Sequence, residues 1–487
     1  MKFSLSPSLV KSSLASHSWI GLLVGFLMYL ICVSGSLVVF SGYMKRWEQP
    51  AVAEFQTLAP EAAARAYSDL LAQKPDISGD ILSMLPRENQ PRASLVSAGG
   101  VYFLNEDGSP GGSISTPWSN SMVSLHDALH IPSDWGLILV SAIGAMLCGL
   151  IISGFLAHPR IFRDAFNFRL GGSRHLEQAD IHNRLSVWGA PFHLVIAVTG
   201  AWFGMAMLMY TLFGNTFFDG DREAAIAAIH GSSPELEQQV EVANIGRAIS
   251  SMADIAPGAR PIFINVEAAN SPQQYILLGA YHPEALIYAE QYRFDQAGNF
   301  LGKVGYTDGE PGKQVIFSLY RLHFGHYGGL PVMVLYVIFG IALAAVSLTG
   351  INIWLVKRRK RDFINNIWAG LVWGTPLAVA VSALAAITLH SGAPGYFWLP
   401  LLAAVLFGQW LDDEVRTKAW LLWISAALLV LVTLVHVFLF GSAGLSGASL
   451  VINIALLSFA ILFACLGMRT ARRGQRVYSD SQPVRIA

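Results

Sequence analysis

Charge is scarce in this chain and cysteine nearly absent. Of 487 residues only 13% are Asp, Glu, Lys or Arg, about half the share of a soluble globular domain, which excludes an ordinary soluble protein. The three cysteines, Cys32, Cys148 and Cys465, fall inside hydrophobic runs and are spaced for neither a disulfide framework nor a metal site. Packing is their expected role, and they do not report a redox compartment. No nucleophile–base pair, nucleotide motif or flavin motif occurs. Gly171-Gly172-Ser173 has no strand before it and is no phosphate loop. The first four apolar runs contain no carboxylate, which counts against an ion path and hence against a transporter.

What is present is apolar. The composition is 53% hydrophobic and the mean hydropathy is +0.47. A bilayer crossing needs roughly 20 apolar residues. Eight runs qualify or nearly do: 18–41, 135–157, 185–213, 330–356, 367–390, 396–411, 418–440 and 447–468, the sixth being short. The net charge of zero hides segregation. Arg160, Arg163, Arg169, Arg174 and Arg184 follow the second run, residues 357–361 are all basic, and Arg469, Arg472, Arg473 and Arg476 follow the eighth. The positive-inside rule places these segments and both termini in the cytoplasm. The first run is too long for a signal peptide and lacks a cleavage pattern, so it reads as an uncleaved anchor. Trp19, Trp47, Trp118, Trp135 and Trp188 fit an interfacial aromatic belt.

The expected organisation is a first span (1–41), an outer segment (42–133), a second span (134–157), a basic loop (158–184), a third span (185–213), a second outer segment (214–329), a fourth span (330–356) and a four-span extension (357–487). Each outer segment reads as a small α+β unit. Helix is expected at 60–72 and strands at 92–96 and 101–104; in the second, helix at 243–252 and strands at 262–266, 275–279 and 286–294. Span, α+β unit, span is thus repeated, with the halves related by an axis along the membrane normal.

Histidines and glycines follow the repeat. His17 precedes Val33-Ser34-Gly35 and His182 precedes Val198-Thr199-Gly200, each by eighteen residues to the glycine, or five helical turns. Leu125-His126 precedes Ile152-Ser153-Gly154, and Leu322-His323 precedes Leu348-Thr349-Gly350. Gly154 and Gly350 fall near the level of His17 and His182; Gly35 and Gly200 fall near that of His126 and His323. Paired imidazoles facing small residues at each membrane face suit one bis-histidine b-type haem per face. The plainer alternative is glycine-mediated helix packing.

His193 complicates the inner site. It lies eleven residues after His182, about 16 Å deeper by helical rise, opposite Met28 in the repeat. If the repeat governs, His17 pairs with His182. If depth governs, His193 is the axial ligand and His182 a propionate partner, and the depth argument is favoured. His130, His158 and His326 are second choices; His175, His230, His282, His390 and His436 read as structural or solvated.

The motifs His17-Ser-Trp-Ile-Gly21, Leu125-His126 with Asp134-Trp135-Gly136, Ile152-Ser153-Gly154 with His158, Phe162 to Arg169, Asp180-Ile-His182-Asn-Arg-Leu-Ser186, Pro191-Phe192-His193 and Leu322-His323-Phe324-Gly325 occur in order over residues 10–362. Together they resemble the PepSY-associated transmembrane helix family, bacterial inner-membrane proteins linked to iron uptake. The resemblance implies an all-α polytopic membrane protein of about eight helices, with a haem-binding four-helix core and two small PepSY-like extracytoplasmic α+β domains. Some shorter relatives reduce ferric siderophores and carry two b-type haems. The cofactor-binding positions carried over are His17, His126, His182, His193 and His323, with His17, His126, His193 and His323 as the candidates for haem iron. The implied partners are the lipid bilayer, a ferric siderophore or other periplasmic ferric chelate, and a quinol or separate reductase as donor, with no nucleic acid. The competing reading is a regulatory membrane protein whose outer domains bind a peptide or protease.

Overall fold

Long uncharged runs leave a chain no way to satisfy its backbone inside lipid except as helices, and helices dominate the fold. The computed structural model describes residues 5–132, 134–166 and 174–480. The helices are α1 (Pro7–Val38), α2 (Ser41–Glu48), α3 (Pro60–Gln73), α4 (Pro117–Ala128), α5 (Asp134–Ala157), α6 (Ile161–Asp164), α7 (Arg174–Phe217), α8 (Arg222–His230), α9 (Ile245–Ile255), α10 (Pro311–Phe324), α11 (Gly329–Lys357), α12 (Phe363–Leu389), α13 (Gly395–Leu411), α14 (Glu414–Phe440) and α15 (Gly447–Asp480). Among the described residues seven are long and apolar enough to cross a membrane: α1, α5, α7, α11, α12, α14 and α15. The shorter apolar α13 matches the sixth run.

The chain divides into two compact units. One comprises residues 1–51, 115–201 and 334–487, the other 52–114 and 202–333. In the helical unit, α1 packs on α5, and α4 on both. Glycines set the close approaches. A Cβ on Gly25 would lie 2.8 Å from Ile351 of α11, and one on Gly340 would meet Ser36 of α1. Gly144 of α5 brings the α7 backbone near enough that a Cβ would sit 3.1 Å from Ala201 N. The helices α12–α15 pack on one another and dock on the N-terminal half, where Tyr29 donates to the Val372 carbonyl at 3.0 Å.

Two tryptophans leave the expected interfacial belt. Trp47 and Trp118 are buried, and Trp47 donates to Asn453 Oδ1 at 2.9 Å while its ring stacks on His436 at 4.4 Å. They pack where α15 meets α2 and α2 meets α4; sequence spacing alone could not reveal that the extension covers them. Trp19 and Trp135 are exposed, as lipid-belt residues are.

The other unit holds a single sheet. The expected helices appear as α3 and α9, and the expected strands as β2 (Ala93–Ser97), β3 (Gly100–Leu104), β5 (Arg260–Ala269), β6 (Tyr275–Tyr281) and a shortened β7 (Glu290–Phe294). To these are added β1 (Gly79–Met84), β4 (Pro110–Ser113) and β8 (Phe300–Lys303). The order is β4-β3-β2-β1-β5-β6-β7-β8. The two inserts are therefore not separate modules. Each is a four-stranded meander, and β1 pairs antiparallel with β5, Leu82 opposite Asn265. Pairing the two first strands closes an edge that each meander would otherwise expose. α3 and α9 share one core with the strands, through Ala63, Tyr67, Ala248, Ile264 and Ile276.

Candidate functional site

One local device recurs along the membrane helices. In a helix, the carbonyl four residues before a glycine accepts that glycine's N–H and keeps a second lone pair. With no Cβ on the glycine, a side chain can lie along the groove and reach that lone pair. His17 does so on α5: its Nδ1 donates to the Leu150 carbonyl at 3.0 Å, and a Cβ on Gly154 would be 3.2 Å from its Cε1. His182 does so on α11: Nδ1 donates to the Val346 carbonyl at 3.0 Å, with Gly350 beneath the ring. His126 of α4 does so on α1: Nδ1 donates to the Ile31 carbonyl at 2.9 Å, and a Cβ on Gly35 would be only 2.7 Å from its Cε1. The hydroxyl before each glycine folds back on its own helix, Ser153 to Gly149, Thr349 to Ala345 and Ser34 to Leu30. That keeps the hydroxyl's donor out of competition for the imidazole. A fourth groove of the same kind lies at Ile196 to Gly200, where Thr199 folds back on Val195 at 2.7 Å.

A donating Nδ1 fixes the tautomer and leaves Nε2 as the nitrogen with a free lone pair, the arrangement that metal-ligating histidines adopt. His17 and His182 carry no hydrogen bond on Nε2 among the described residues. Their ring centroids are 6.1 Å apart, with the planes at 86°. Two imidazoles on opposite sides of one metal, each bonded at about 2 Å, have ring centres about 6 Å apart. Both line a cavity of about 440 Å³ enclosed by α1, α5, α7 and α11 and walled largely by apolar side chains such as Leu147, Leu150, Leu343 and Val346. The volume lies in the range of small-molecule and cofactor sites.

His193 lines the same cavity but is tied differently. Its Nε2 donates to the Phe339 carbonyl at 3.2 Å, and its ring lies against its own helix at Gly189. This bond weighs against the depth argument. That argument takes the third span to begin near residue 185, with His182 at its edge; α7 begins eleven residues earlier, at Arg174. His182 therefore sits two turns inside a helix, opposite His17.

His126 is half-buried, and desolvation of its ring lowers its pKa below the ordinary imidazole value despite the Ile31 bond that raises it. Its helix is held from outside. Glu48 accepts from the backbone N–H of Trp118 and Ser119 at 2.6 and 3.0 Å, so it caps α4. Burial raises Glu48 to about 7, against the opposing pull of those donors and Lys45. His323 belongs to the other unit, on α10, edge-on to Phe203 at 5.4 Å. Among the second choices, His130 is a corner residue with both nitrogens used, by Ser121 and by Trp398 Nε1. His326 is pushed down to about 4 by burial, with Arg87 and Arg321 adding to it. His158 lines the cavity and lies 3.7 Å from Asp164.

Of the basic loop, Arg163 pairs with Asp164 at 3.3 Å and Arg184 with Asp180 at 3.5 Å. Arg184 is buried. Arg169 and the Gly171-Gly172-Ser173 triplet lie outside the described residues, as do the side chains of Arg174, Arg473 and Arg476. Sequence reasoning missed His175, Asn183, Trp354 and Lys357, all of which line the cavity. The signal for His175 was available: it precedes His182 by seven residues, two turns along one face. No group of three or more His, Cys, Asp or Glu capable of holding a metal occurs among the described residues.

Residues 14–357 match the PepSY-associated TM region, and the chain belongs to that family. It is also similar to an uncharacterized protein of Pseudomonas aeruginosa, 24% identical over 323 residues, covering 60% of this chain and 82% of that one.

Proposed function

We propose that this family member is a b-type haem protein that relays electrons across the bacterial inner membrane to a ferric chelate outside, such as a siderophore complex. The observation carrying the reading is the His17–His182 pair: rings 6.1 Å apart, each tied through Nδ1 to a helix carbonyl, across an apolar cavity. The residues fit the group, since neutral imidazoles, a dry wall and glycine-lined grooves are what a bound porphyrin requires. When bound, the iron supplies reversible one-electron chemistry. The chain's own residues do the rest. The Leu150 and Val346 carbonyls hold each imidazole in its ligating tautomer, and Gly154 and Gly350 let the rings lie flush. Leu147, Leu343 and Val346 exclude water. His126, oriented on Ile31, is proposed as a ligand of a second haem toward the outer face, and His323 is a further candidate from the sequence motifs. The basic segments favour a cytoplasmic side for both termini, and a quinol or a separate reductase is the proposed donor.

The test is a visible spectrum of the purified full chain with pyridine haemochrome stoichiometry. Two low-spin haems per chain are expected. His126→Ala should cost one of them. A colourless preparation made with ample haem refutes the reading and leaves the shared sheet as a peptide- or protein-binding module.

A further inference from the structure

The cavity is polarised along its length, and the polarity specifies its occupant beyond the two axial nitrogens. At its deep end the lining is Met28, Leu147, Leu343 and the tethered His193. At its other end stand three side chains able to carry positive charge. Lys357 follows Gly350 by seven residues on α11, and His175 precedes His182 by seven on α7. Each is two turns from the imidazole contact on the same helical face, about 10 Å along the axis. His158 follows Gly154 by four, just past the end of α5. All three line the cavity. Among the described residues neither Lys357 nor His175 makes an ion pair, whereas His158 faces Asp164.

Resting on the haem reading above, we infer that Lys357 and His175 form a clamp for the two carboxylates on one edge of a porphyrin whose metal lies between His17 and His182. The ligand class is a planar, otherwise apolar tetrapyrrole dicarboxylate. Its carboxylate edge faces the rim and its apolar edge faces Met28 and Leu147. A lysine and a histidine two helical turns from the imidazole contacts suit that edge, while the deep end offers carboxylates no partner and would charge their full desolvation cost. His158, shared with Asp164, is an auxiliary.

The test separates the clamp from the site. Apo full-length protein in detergent is titrated with haem b and with its dimethyl ester, which keeps the ring and iron but masks both carboxylates. Lys357→Gln and His175→Gln should each weaken haem binding about three- to tenfold, the effect of one charge-assisted bond at a half-open rim. Ester binding should change by less than twofold, Lys357→Arg should restore haem affinity, and the bound haem's midpoint potential should shift in Lys357→Gln. Equal losses for haem and ester would make these residues merely structural and overturn the clamp, and so would no loss for either. Unaltered haem binding in His17→Ala and His182→Ala would sink the haem site itself, whatever the rim variants do.

Discussion

Two histidine environments of this molecule look alike by sequence and differ in what their nitrogens do. His436 of α14 lies in an apolar helix, contacts a glycine (a Cβ on Gly444 would be 3.3 Å from its Nδ1) and is fully buried. Its Nε2 donates to the Trp47 carbonyl at 2.8 Å, its Nδ1 accepts from Asn453 at 3.3 Å, and its ring stacks on Trp47. Both ring nitrogens are used. His17 and His182 also face glycines, but each spends only Nδ1 on a carbonyl and turns toward a cavity. A glycine beside a histidine is therefore no sign of a ligand. The sign is one nitrogen satisfied, one left open and room beyond it.

The largest expected effect breaks this comparison directly. His17→Ala and His182→Ala should each remove the inner haem, read as a loss of about half the pyridine haemochrome if two haems bind at full loading. His436→Phe should keep all of it while costing about 1–3 kcal/mol of stability, because the Trp47 carbonyl and Asn453 lose a buried partner. His193→Ala should keep the inner haem too, since its Nε2 is already committed to Phe339. An empty inner site in His193→Ala with retention in His182→Ala would return the ligand role to the deeper residue.

The glycines sharpen the comparison with a smaller effect. A Cβ would come within 2.7 Å of the imidazole at Gly35, 3.2 Å at Gly154 and 3.3 Å at Gly350. Contacts of the last two kinds need only a shift of a few tenths of an ångström, whereas the first cannot stand. Gly35→Ala should therefore displace His126 and lower occupancy of the outer haem. Gly154→Ala and Gly350→Ala should retain the inner haem with a shifted midpoint potential. Gly444→Ala should move neither potential. Potentiometric titration of the four variants decides it; a Gly444→Ala shift as large as that of Gly154→Ala would dissolve the distinction.

These results also mark what the sequence could reveal. The spans, the duplication and the levels of Gly35, Gly154 and Gly350 relative to His126, His17 and His182 were legible, because period and length are local properties. Bond direction was not. Whether His193 or His182 presents an open nitrogen depends on which carbonyl each ring meets, Phe339 or Val346, and on α7 starting at Arg174. The fusion of two inserts into one sheet was hidden because β1, Gly79–Met84, has little strand signal until β5 pairs with it. Trp47 and Trp118 looked interfacial because nothing in their neighbourhood announces that α15 will cover Trp47.

The smallest expected effect follows the dry node outward. Glu48 adjoins Trp47 and caps the helix that carries His126, so a change there tests whether the node's burial is felt at α4. Its pKa is raised from 4.5 to about 7, chiefly by burial. For a carboxyl group a raised folded value means the folded chain holds a proton that the unfolded chain has released between those two pH values. Stability contributed by this group is therefore greatest at low pH and falls as pH climbs through that window. Glu48→Gln keeps an acceptor for the Trp118 and Ser119 N–H groups and removes the titration. With three hydrogen bonds already offsetting part of the desolvation, the difference should be about 1 kcal/mol, or about 2 °C in apparent melting temperature. Thermal scans at pH 5 and pH 7.5 should show the wild-type chain losing ground relative to Glu48→Gln at the higher pH. Parallel behaviour of the two proteins would mean that Glu48 is already ionised at pH 5, held as a carboxylate by the α4 amino terminus.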